Sequence, residues 1–276
     1  MSKGVPAPAQ RWSVERLSVL VYATRGEMGS AAGAAVAGRM RELLRRGPGV
    51  RVMFASAPSQ NEFLAELRRQ PGLDWSRVTA FHMDEYVGLG ADAEPSFVRF
   101  LREHLYDAVH PGTVHNLNGL AADPQAECRR YAALLNQAPL DIVCAGIGEN
   151  GHLAFNDPPF ADFDDPLAVK TVRLAQRSRE QQVHDGCFPS LELVPREALT
   201  VTIPAMLAAG HIFCMVPGPT KAQAVRDTLM GPVTEDCPAS ILRRHAAAIL
   251  YTDLDSSAQS RRPSAGQARQ GRGEGV

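Results

Sequence analysis

The chain has 276 residues, enough for one large α/β domain or two small ones. Its composition, 45% hydrophobic and 21% charged, supports a sizeable core and excludes global disorder. The formal net charge of −1 gives no reason to expect nucleic-acid binding, so selectivity for an anion must come from local groups.

The sequence predicts three segments: a flexible N-terminal extension (1–16), a single α/β domain (17–254) and a disordered Ser/Gly/Gln/Arg-rich tail (255–276). The N-terminus lacks an apolar signal region, and no run reaches membrane-spanning length. We therefore expect a cytoplasmic protein with no membrane partner, whose five cysteines are free thiols. A homo-oligomer is compatible with the sequence, which does not show the oligomeric state.

Predicted strands and helices alternate along the domain. The strands span 50–55, 78–81, 140–145, 198–203, 211–216 and 247–251. The helices span 27–46, 60–69 with Ser59 as its N-cap, 95–108, 124–137, 204–209, 220–230 and 239–245, and the otherwise irregular stretch 160–195 has one short helix at 177–183. Because the strands are continuous apolar runs, we predict a single doubly wound, mostly parallel, Rossmann-like sheet with helices on both faces.

Four polar clusters each follow a predicted strand directly. They are Ala57–Ser59, His82–Tyr86, Gly146–Asn156 and Gly218–Lys221. In sheets of this kind the site lies beyond the carboxyl ends of the strands, so we expect the four clusters to converge there.

The loop that begins at Gly146 has the spacing G-x-G-x-x-G through Gly148 and Gly151. A dinucleotide site requires a helix to start at once, whereas Pro158 and Pro159 follow soon after. The better interpretation is a tight glycine turn that brings backbone amides to a ligand and projects His152 into the cleft, against the alternative of a plain surface turn.

Two adjacent carboxylates, Asp84 and Glu85, follow the strand 78–81. Neighbouring buried acids repel, which raises the pKa of one and suits a general base; the alternative is a helix N-cap plus a solvated glutamate. His82 and Asp84 have no further zinc-like ligand set, so a metal is disfavoured. Lys221, in the first turn of a predicted helix, indicates a phosphate or carboxylate site, against the alternative of an exposed lysine.

Together these segments resemble the glucosamine-6-phosphate deaminase family, a branch of the sugar-phosphate fold group that includes 6-phosphogluconolactonases. The resemblance runs from about residue 20 to 252. It is carried by Phe81–Leu89, Ser96–Leu105, Gly146–Pro158, Ala198–Ala208 and Lys221–His245.

The resemblance implies a cofactor-free conversion of glucosamine 6-phosphate to fructose 6-phosphate and ammonia. It implies that Asp84 moves the C2 proton, that His152 assists ring opening, and that Asp157 tunes His152. Asn150 is the fourth catalytic position. Substrate-binding roles are expected for Glu85, Gly148, Gly151, Ser56, Ser59 and Lys221, the last of which matches the family's phosphate lysine.

The sequence departs from the family pattern in three places. Asn150 stands where an aspartate is common, and Ser56–Gln60 replaces the usual Thr-Gly-Gly-Thr-Pro phosphate loop. The expected clamp arginine near 180 is replaced by Glu180–Gln182, with Arg177 or Arg179 as candidate substitutes. Two alternatives stay open: a lactonase of the same fold group, and a non-catalytic sugar-phosphate sensor.

Overall fold

The computed structural model describes residues 4–260. The strands are β1 (Gln10–Val14), β2 (Leu17–Tyr22), β3 (Val50–Phe54), β4 (Val78–His82), β5 (Asp84–Tyr86), β6 (Thr113–His115), β7 (Ile142–Ala145), β8 (Val169–Arg173), β9 (Glu197–Val201), β10 (His211–Val216) and β11 (Ala248–Asp253). The helices are α1 (Arg25–Arg46), α2 (Asn61–Leu67), α3 (Phe97–Leu101), α4 (Asp107–Val109), α5 (Pro124–Leu135), α6 (Gln176–His184), α7 (Ile203–Leu207) and α8 (Ala222–Met230).

The main sheet has eight strands in the order β1-β2-β11-β10-β7-β3-β4-β6. Neighbouring strands are parallel except β1 and β2. Successive residues of β10 enter opposite cores: Phe213 and Met215 pack on the α1 face, and Ile212 and Cys214 on the other. The predicted doubly wound, mostly parallel sheet with helices on both faces is confirmed.

Two glycines let α1 and α2 pack closely on one face of this sheet. A Cβ on Gly29 would lie 2.4 Å from Glu62 Cβ, and one on Gly33 would lie 2.7 Å from Glu66 Cβ. The lack of a side chain at these positions therefore sets the separation of the two helices. Thr24 caps the N-terminus of α1 by accepting a hydrogen bond from Glu27 N.

A second, three-stranded antiparallel sheet, β5-β9-β8, was not predicted. The sequence interpretation treats 198–203 as part of a single sheet and leaves 169–173 irregular. Both differ from the structure because β5 is only three residues long and β8 carries Lys170, Thr171 and Arg173 among its valines. This small sheet supports the start of β5, where Asp84 lies.

Both ends of the predicted domain extend further than expected. The extension predicted over 1–16 contains β1, which pairs with β2 along its whole length, and Trp12 packs against the core. Beyond residue 254, Ser256 is fully buried and its backbone N donates to Asp253 Oδ1. The rest of the predicted tail, residues 261–276, lies outside the described residues.

Two helix predictions also need correction. Ser59 does not cap α2, since it lies inside a 3₁₀ segment, Pro58–Gln60, and Gln60 occupies the N-cap without a side-chain hydrogen bond. The helix predicted over 95–108 begins after Ser96 and passes through a π turn, Arg102–Tyr106, before α4. Within residues 4–260, no helix combines the length and apolar character needed to cross a membrane.

Candidate active site

One pocket receives residues from all four predicted polar clusters. It lies beyond the carboxyl ends of β3, β4, β7 and β10, as expected for a sheet of this type. The side chains and backbone that line it come from Ala55, Ser56, Ala57, Ser59, Gln60, Met83, Asp84, Phe97, Gly146, Ile147, Gly148, His152, Ala154, Phe155, Gln181, Gln182 and Lys221. The predicted convergence of the clusters is therefore confirmed.

Asp84 is buried where the chain leaves β4 and enters the second sheet. Burial, and after it the negative charge of Glu85, raise the pKa of Asp84 well above its ordinary value. The carboxylate makes no side-chain hydrogen bond within the described residues, and it lines the pocket. A buried, unpaired carboxylate of raised pKa has the properties of a general base.

Glu85 does not line the pocket, contrary to its predicted substrate-binding role. Its carboxylate accepts hydrogen bonds from Ser96 Oγ at 2.7 Å, Tyr86 N at 2.9 Å, Val98 N at 3.1 Å and Phe97 N at 3.3 Å. Burial raises the pKa of Glu85, and these four hydrogen bonds oppose that rise. Glu85 thus caps the start of α3, and it reaches the site only through its charge on Asp84.

The glycine loop presents His152 by removing side chains where the imidazole lies. A Cβ on Gly148 would lie 2.0 Å from His152 Cε1, so the ring rests against the bare backbone. Gly148 N donates to His152 O at 3.0 Å and Gly151 N donates to Gly148 O at 3.0 Å, so neither amide is free for a ligand. Gly151, with φ of +84°, faces Cys237 instead of the pocket. Gly148 nevertheless lines the pocket, so its substrate-binding role stays a prediction, whereas Gly151 shapes the loop and does not line the pocket.

Three polar groups converge on His152 Nδ1: Asn150 Oδ1 at 2.7 Å, Asp157 Oδ1 at 2.9 Å and Ser178 Oγ at 3.1 Å. We call Asn150, His152, Asp157 and Ser178 the His152 cluster. Asn150 Nδ2 also donates to Asp157 Oδ1 at 2.8 Å, and Ser178 Oγ donates to the same oxygen. Asn150, which replaces the expected acid, thus bridges His152 and Asp157.

Asp157 stays ionised although it is almost fully buried. Burial alone raises the pKa of Asp157, but the charge of His152 and hydrogen bonds from His152, Ser178 and Asn150 outweigh it, so the pKa is lowered. A carboxylate held in this way keeps a proton on the facing imidazole nitrogen. His152 Nε2 makes no hydrogen bond within residues 4–260, so this is the ring nitrogen left to act in the pocket.

The pocket is also lined by a cationic side chain, Lys221, at the end of a 3₁₀ segment before α8. Burial lowers the pKa of Lys221, and the charges of Asp185 and Glu149 partly oppose this. Ser56, Ser59, Gln60 and Gln182 lie with it, and we call these five residues the Lys221 end. Ser56 Oγ and Gln60 Oε1 are buried without a hydrogen-bond partner in the described part of the chain.

Neither candidate for a clamp arginine lies in the pocket. Arg179 donates to the carbonyl oxygens of Leu191 and Val194, and Arg177 lines a separate cavity beside Pro158. The pocket is instead lined by the amides of Gln181 and Gln182. Among the described residues, no group of three His, Cys, Asp or Glu side chains is arranged to hold a metal ion.

Sequence reasoning missed Ser178 and Gln60 and read Gln181 and Gln182 only as the loss of an arginine. Ser178 and both glutamines lie on α6, which confirms the short helix predicted over 177–183, but their part in the site was not predicted. Gln60, taken for a helical residue, is fully buried against Met215 O and Ser59. The departure of Ser56–Gln60 from the family's phosphate loop was the available signal for Gln60, whereas Ser178 had none.

Comparison with known proteins agrees with this geometry. Residues 23–251 match the family model described as glucosamine-6-phosphate isomerases/6-phosphogluconolactonase. A protein of Exiguobacterium sibiricum named glucosamine-6-phosphate deaminase is 37% identical over 217 residues, covering 79% of this chain and 84% of that protein. One of the same name from Streptococcus suis strain 05ZYH33 is 39% identical over 222 residues, covering 80% and 91%.

Among solved structures, that of a monomeric glucosamine-6-phosphate deaminase superposes with a TM-score of 0.81 at 29% identity. The match covers 87% of this chain and 99% of that one. Family model, relatives and fold thus agree over the same part of the chain. The chain belongs to the glucosamine-6-phosphate isomerase/6-phosphogluconolactonase family.

Proposed function

We propose that this protein is a glucosamine-6-phosphate deaminase. It would convert glucosamine 6-phosphate and water to fructose 6-phosphate and ammonia. The observation that carries the proposal is the presence in one pocket of Asp84, a buried carboxylate of raised pKa, and His152, whose Nδ1 is held by Asp157. The relatives named as glucosamine-6-phosphate deaminases support the choice of substrate.

His152 acts first, because a closed amino sugar exposes no carbonyl. With its Nδ1 occupied by the cluster, His152 exchanges protons through Nε2. Nε2 accepts the proton of the O1 hydroxyl and then donates it to the ring oxygen, which breaks the bond between C1 and the ring oxygen and opens the ring to the aldehyde. Asp157 stabilises the imidazolium between these transfers, since its carboxylate lies 2.9 Å from Nδ1.

Asp84 then removes the proton at C2, which is acidified by the neighbouring carbonyl. Proton return at C1 gives the 2-imine of the ketose, and water hydrolyses it to fructose 6-phosphate and ammonia. The raised pKa of Asp84 suits both halves of this transfer, because the same group must accept and return a proton near neutral pH. Each positioned proton transfer is typically worth about 10²–10⁴-fold in rate.

The Lys221 end would hold the phosphate. Lys221 supplies the charge, and the hydroxyls of Ser56 and Ser59 and the amide of Gln182 supply neutral donors. With one cation and no arginine among the lining residues, this end is less positive than a bidentate arginine site would be. We expect phosphate affinity to depend strongly on Lys221.

Ammonia release from glucosamine 6-phosphate tests the function directly. We expect turnover without added metal or cofactor, and formation of fructose 6-phosphate in equal amount. Folded protein that releases no ammonia would overturn the proposal. Acid release from 6-phosphogluconolactone under the same conditions would assign the lactonase activity instead, and a ligand-induced thermal shift without turnover on either compound would assign a sensor.

The cellular setting stays a prediction from the sequence. We expect a cytoplasmic enzyme of amino sugar catabolism that acts on a small sugar phosphate, without nucleic-acid or membrane partners. A homo-oligomer remains compatible with the chain, and light scattering of the purified protein decides between monomer and oligomer.

A further inference from the structure

The His152 cluster contains one member that comes from outside the glycine loop. Asn150, His152 and Asp157 belong to the same loop, whereas Ser178 lies on α6. Ser178 is 1% exposed, and its hydroxyl contacts both Asp157 Oδ1 and His152 Nδ1. Ser178 is therefore the contact through which a separate helix reaches the acid and the imidazole of the loop.

The protons of the cluster can be assigned from its hydrogen bonds. Asn150 Nδ2 faces the ionised Asp157, so Asn150 Oδ1 must face His152, where it also accepts from His152 N at 3.2 Å. Ser178 has a single hydroxyl proton, which it donates to Asp157 Oδ1, so only a lone pair remains toward His152. All three neighbours of Nδ1 are therefore acceptors, and Nδ1 must carry a proton.

This assignment leaves the lone pair of neutral His152 on Nε2, the nitrogen that acts in the proposed reaction. The arrangement depends on Asp157, whose Oδ1 receives every hydrogen bond while Oδ2 is buried without a partner in the described residues. A carboxylate bonded through one oxygen can rotate about its Cβ–Cγ bond. The hydrogen bond from Ser178 opposes that rotation, and it comes from α6, whereas the bond from Asn150 comes from the glycine loop itself.

We propose that Ser178 is a positioning residue that holds the Asp157 carboxylate against His152 Nδ1 and so keeps His152 in the tautomer with a free Nε2. It does this from α6, which also accepts a hydrogen bond from Glu149 N through Gln181 Oε1 at 2.8 Å. The same helix lines the pocket with Gln181 and Gln182. The orientation of His152 therefore depends on how α6 packs against the glycine loop.

The test combines kinetics with direct observation of the histidine tautomer by nitrogen-15 NMR, with His152 signals identified by their loss in His152→Gln. We expect a protonated Nδ1 in the wild-type protein. In Ser178→Ala we expect a second population with a protonated Nε2. Loss of one such hydrogen bond should lower kcat about tenfold while KM changes less than about twofold. Ser178→Thr, which keeps the hydroxyl, should restore the wild-type tautomer.

Gln176→Ala serves as the matched control, because Gln176 is exposed on the same helix and bonds only to Glu180. It should leave the His152 signals unchanged. A neutral His152 that carries its proton on Nε2 in the wild-type protein overturns the inference, as does folded Ser178→Ala with unchanged kcat and unchanged His152 signals. If Ser178→Ala does not fold, Ser178→Cys, a weaker donor of similar shape, takes its place with the same deciding results.

The inference rests on the proposed function only through kcat. If the wild-type protein releases no ammonia, the proposed function fails, and the NMR comparison still decides the role of Ser178. If ammonia release is normal in both proteins and the tautomer is unchanged, the function stands and the role of Ser178 fails.

Discussion

The two ends of the pocket differ in how completely their polar groups are hydrogen-bonded. In the His152 cluster, His152 Nδ1 has three partners and Asp157 Oδ1 receives hydrogen bonds from Asn150 and Ser178. At the Lys221 end, Ser56 Oγ and Gln60 Oε1 are buried without partners in residues 4–260. Asp157 Oδ2 is also buried without a partner in the described residues, but the groups that orient His152 Nδ1 are all supplied by the chain, whereas Ser56 and Gln60 at the Lys221 end leave polar atoms unpaired.

This difference suggests a division between chemistry and binding. A proton-transfer group must be oriented before substrate arrives, because reorganisation during the reaction would cost rate. A binding group is better left unpaired, since the ligand then supplies the missing partner and each buried unpaired group costs about 1–3 kcal/mol until it does. Substitutions at the first end should therefore act on kcat, and those at the Lys221 end on KM.

The largest effect is expected for Asp84→Asn, which removes the proposed base without changing the size of the side chain. We expect kcat to fall about 10²–10⁴-fold with little change in KM, measured as ammonia release from glucosamine 6-phosphate. Asp164→Asn is the matched control, since Asp164 is exposed and does not line the pocket. Full turnover by folded Asp84→Asn would show that another group moves the C2 proton.

The sequence predicted Asp84, His152 and Lys221 well because each follows an apolar strand, and parallel strands bring their carboxyl ends together. It failed for Glu85 and Gly151, which do not line the pocket and whose polar or backbone groups are used within the protein. A sequence pattern shows which groups reach an edge of the sheet, but hydrogen bonds made there depend on how the neighbouring loops fold.

The prediction also failed where an element is short or comes from a distant segment. The sheet β5-β9-β8 depends on a three-residue strand, and Ser178 reaches His152 from a helix 26 positions further along the chain. The short strand has no periodicity that a window of sequence can detect, and the helix predicted over 177–183 gives no sign of the distant residue that it contacts. The main sheet was predictable because its strands are long apolar runs that a window of sequence detects.

The next largest effect tests the Lys221 end. Lys221→Met removes the charge but keeps much of the aliphatic stem, and a charge-assisted hydrogen bond worth about 1.5–3 kcal/mol should raise KM about 10–100-fold. We expect kcat to change far less, measured over a full substrate range. Lys170→Met is the control, because Lys170 pairs with Asp165 and does not line the pocket. An effect of Lys221→Met confined to kcat would contradict the division between the two ends.

A smaller effect is expected for Gly148→Ala, which leaves every polar group of the site in place. The new Cβ would overlap the His152 ring, with Nδ1 only 2.3 Å away, so the ring must turn from its three partners. Losing the equivalent of one hydrogen bond should lower kcat about tenfold and leave KM nearly unchanged. Gly38→Ala, on α1 with open space around the added carbon, should leave both unchanged. Equal kcat in the two variants would show that the ring position is not critical.

The smallest effect concerns the stability cost of keeping Asp84 buried. Because burial and Glu85 raise its pKa well above the ordinary 3.8, folded protein holds this proton more tightly than unfolded chain does. Stability is therefore highest below the ordinary pKa and falls as pH rises toward the raised value. Asp84→Asn lacks this titrating proton, so the Tm of the variant relative to wild type should increase with pH by a few degrees, at about 2–4 °C per kcal/mol.

Thermal melts between about pH 4.5 and 8 measure how this Tm difference changes with pH, and that slope is independent of any constant offset caused by the amide. Asp164→Asn should show no such slope, and a difference for Asp84→Asn that stays flat or shrinks as pH rises would mean that Asp84 is not strained by its burial. A rising slope would instead show that the carboxylate proposed as the base is held at a cost in stability, unlike Asp157, whose pKa is lowered by the charge of His152 and by its hydrogen bonds.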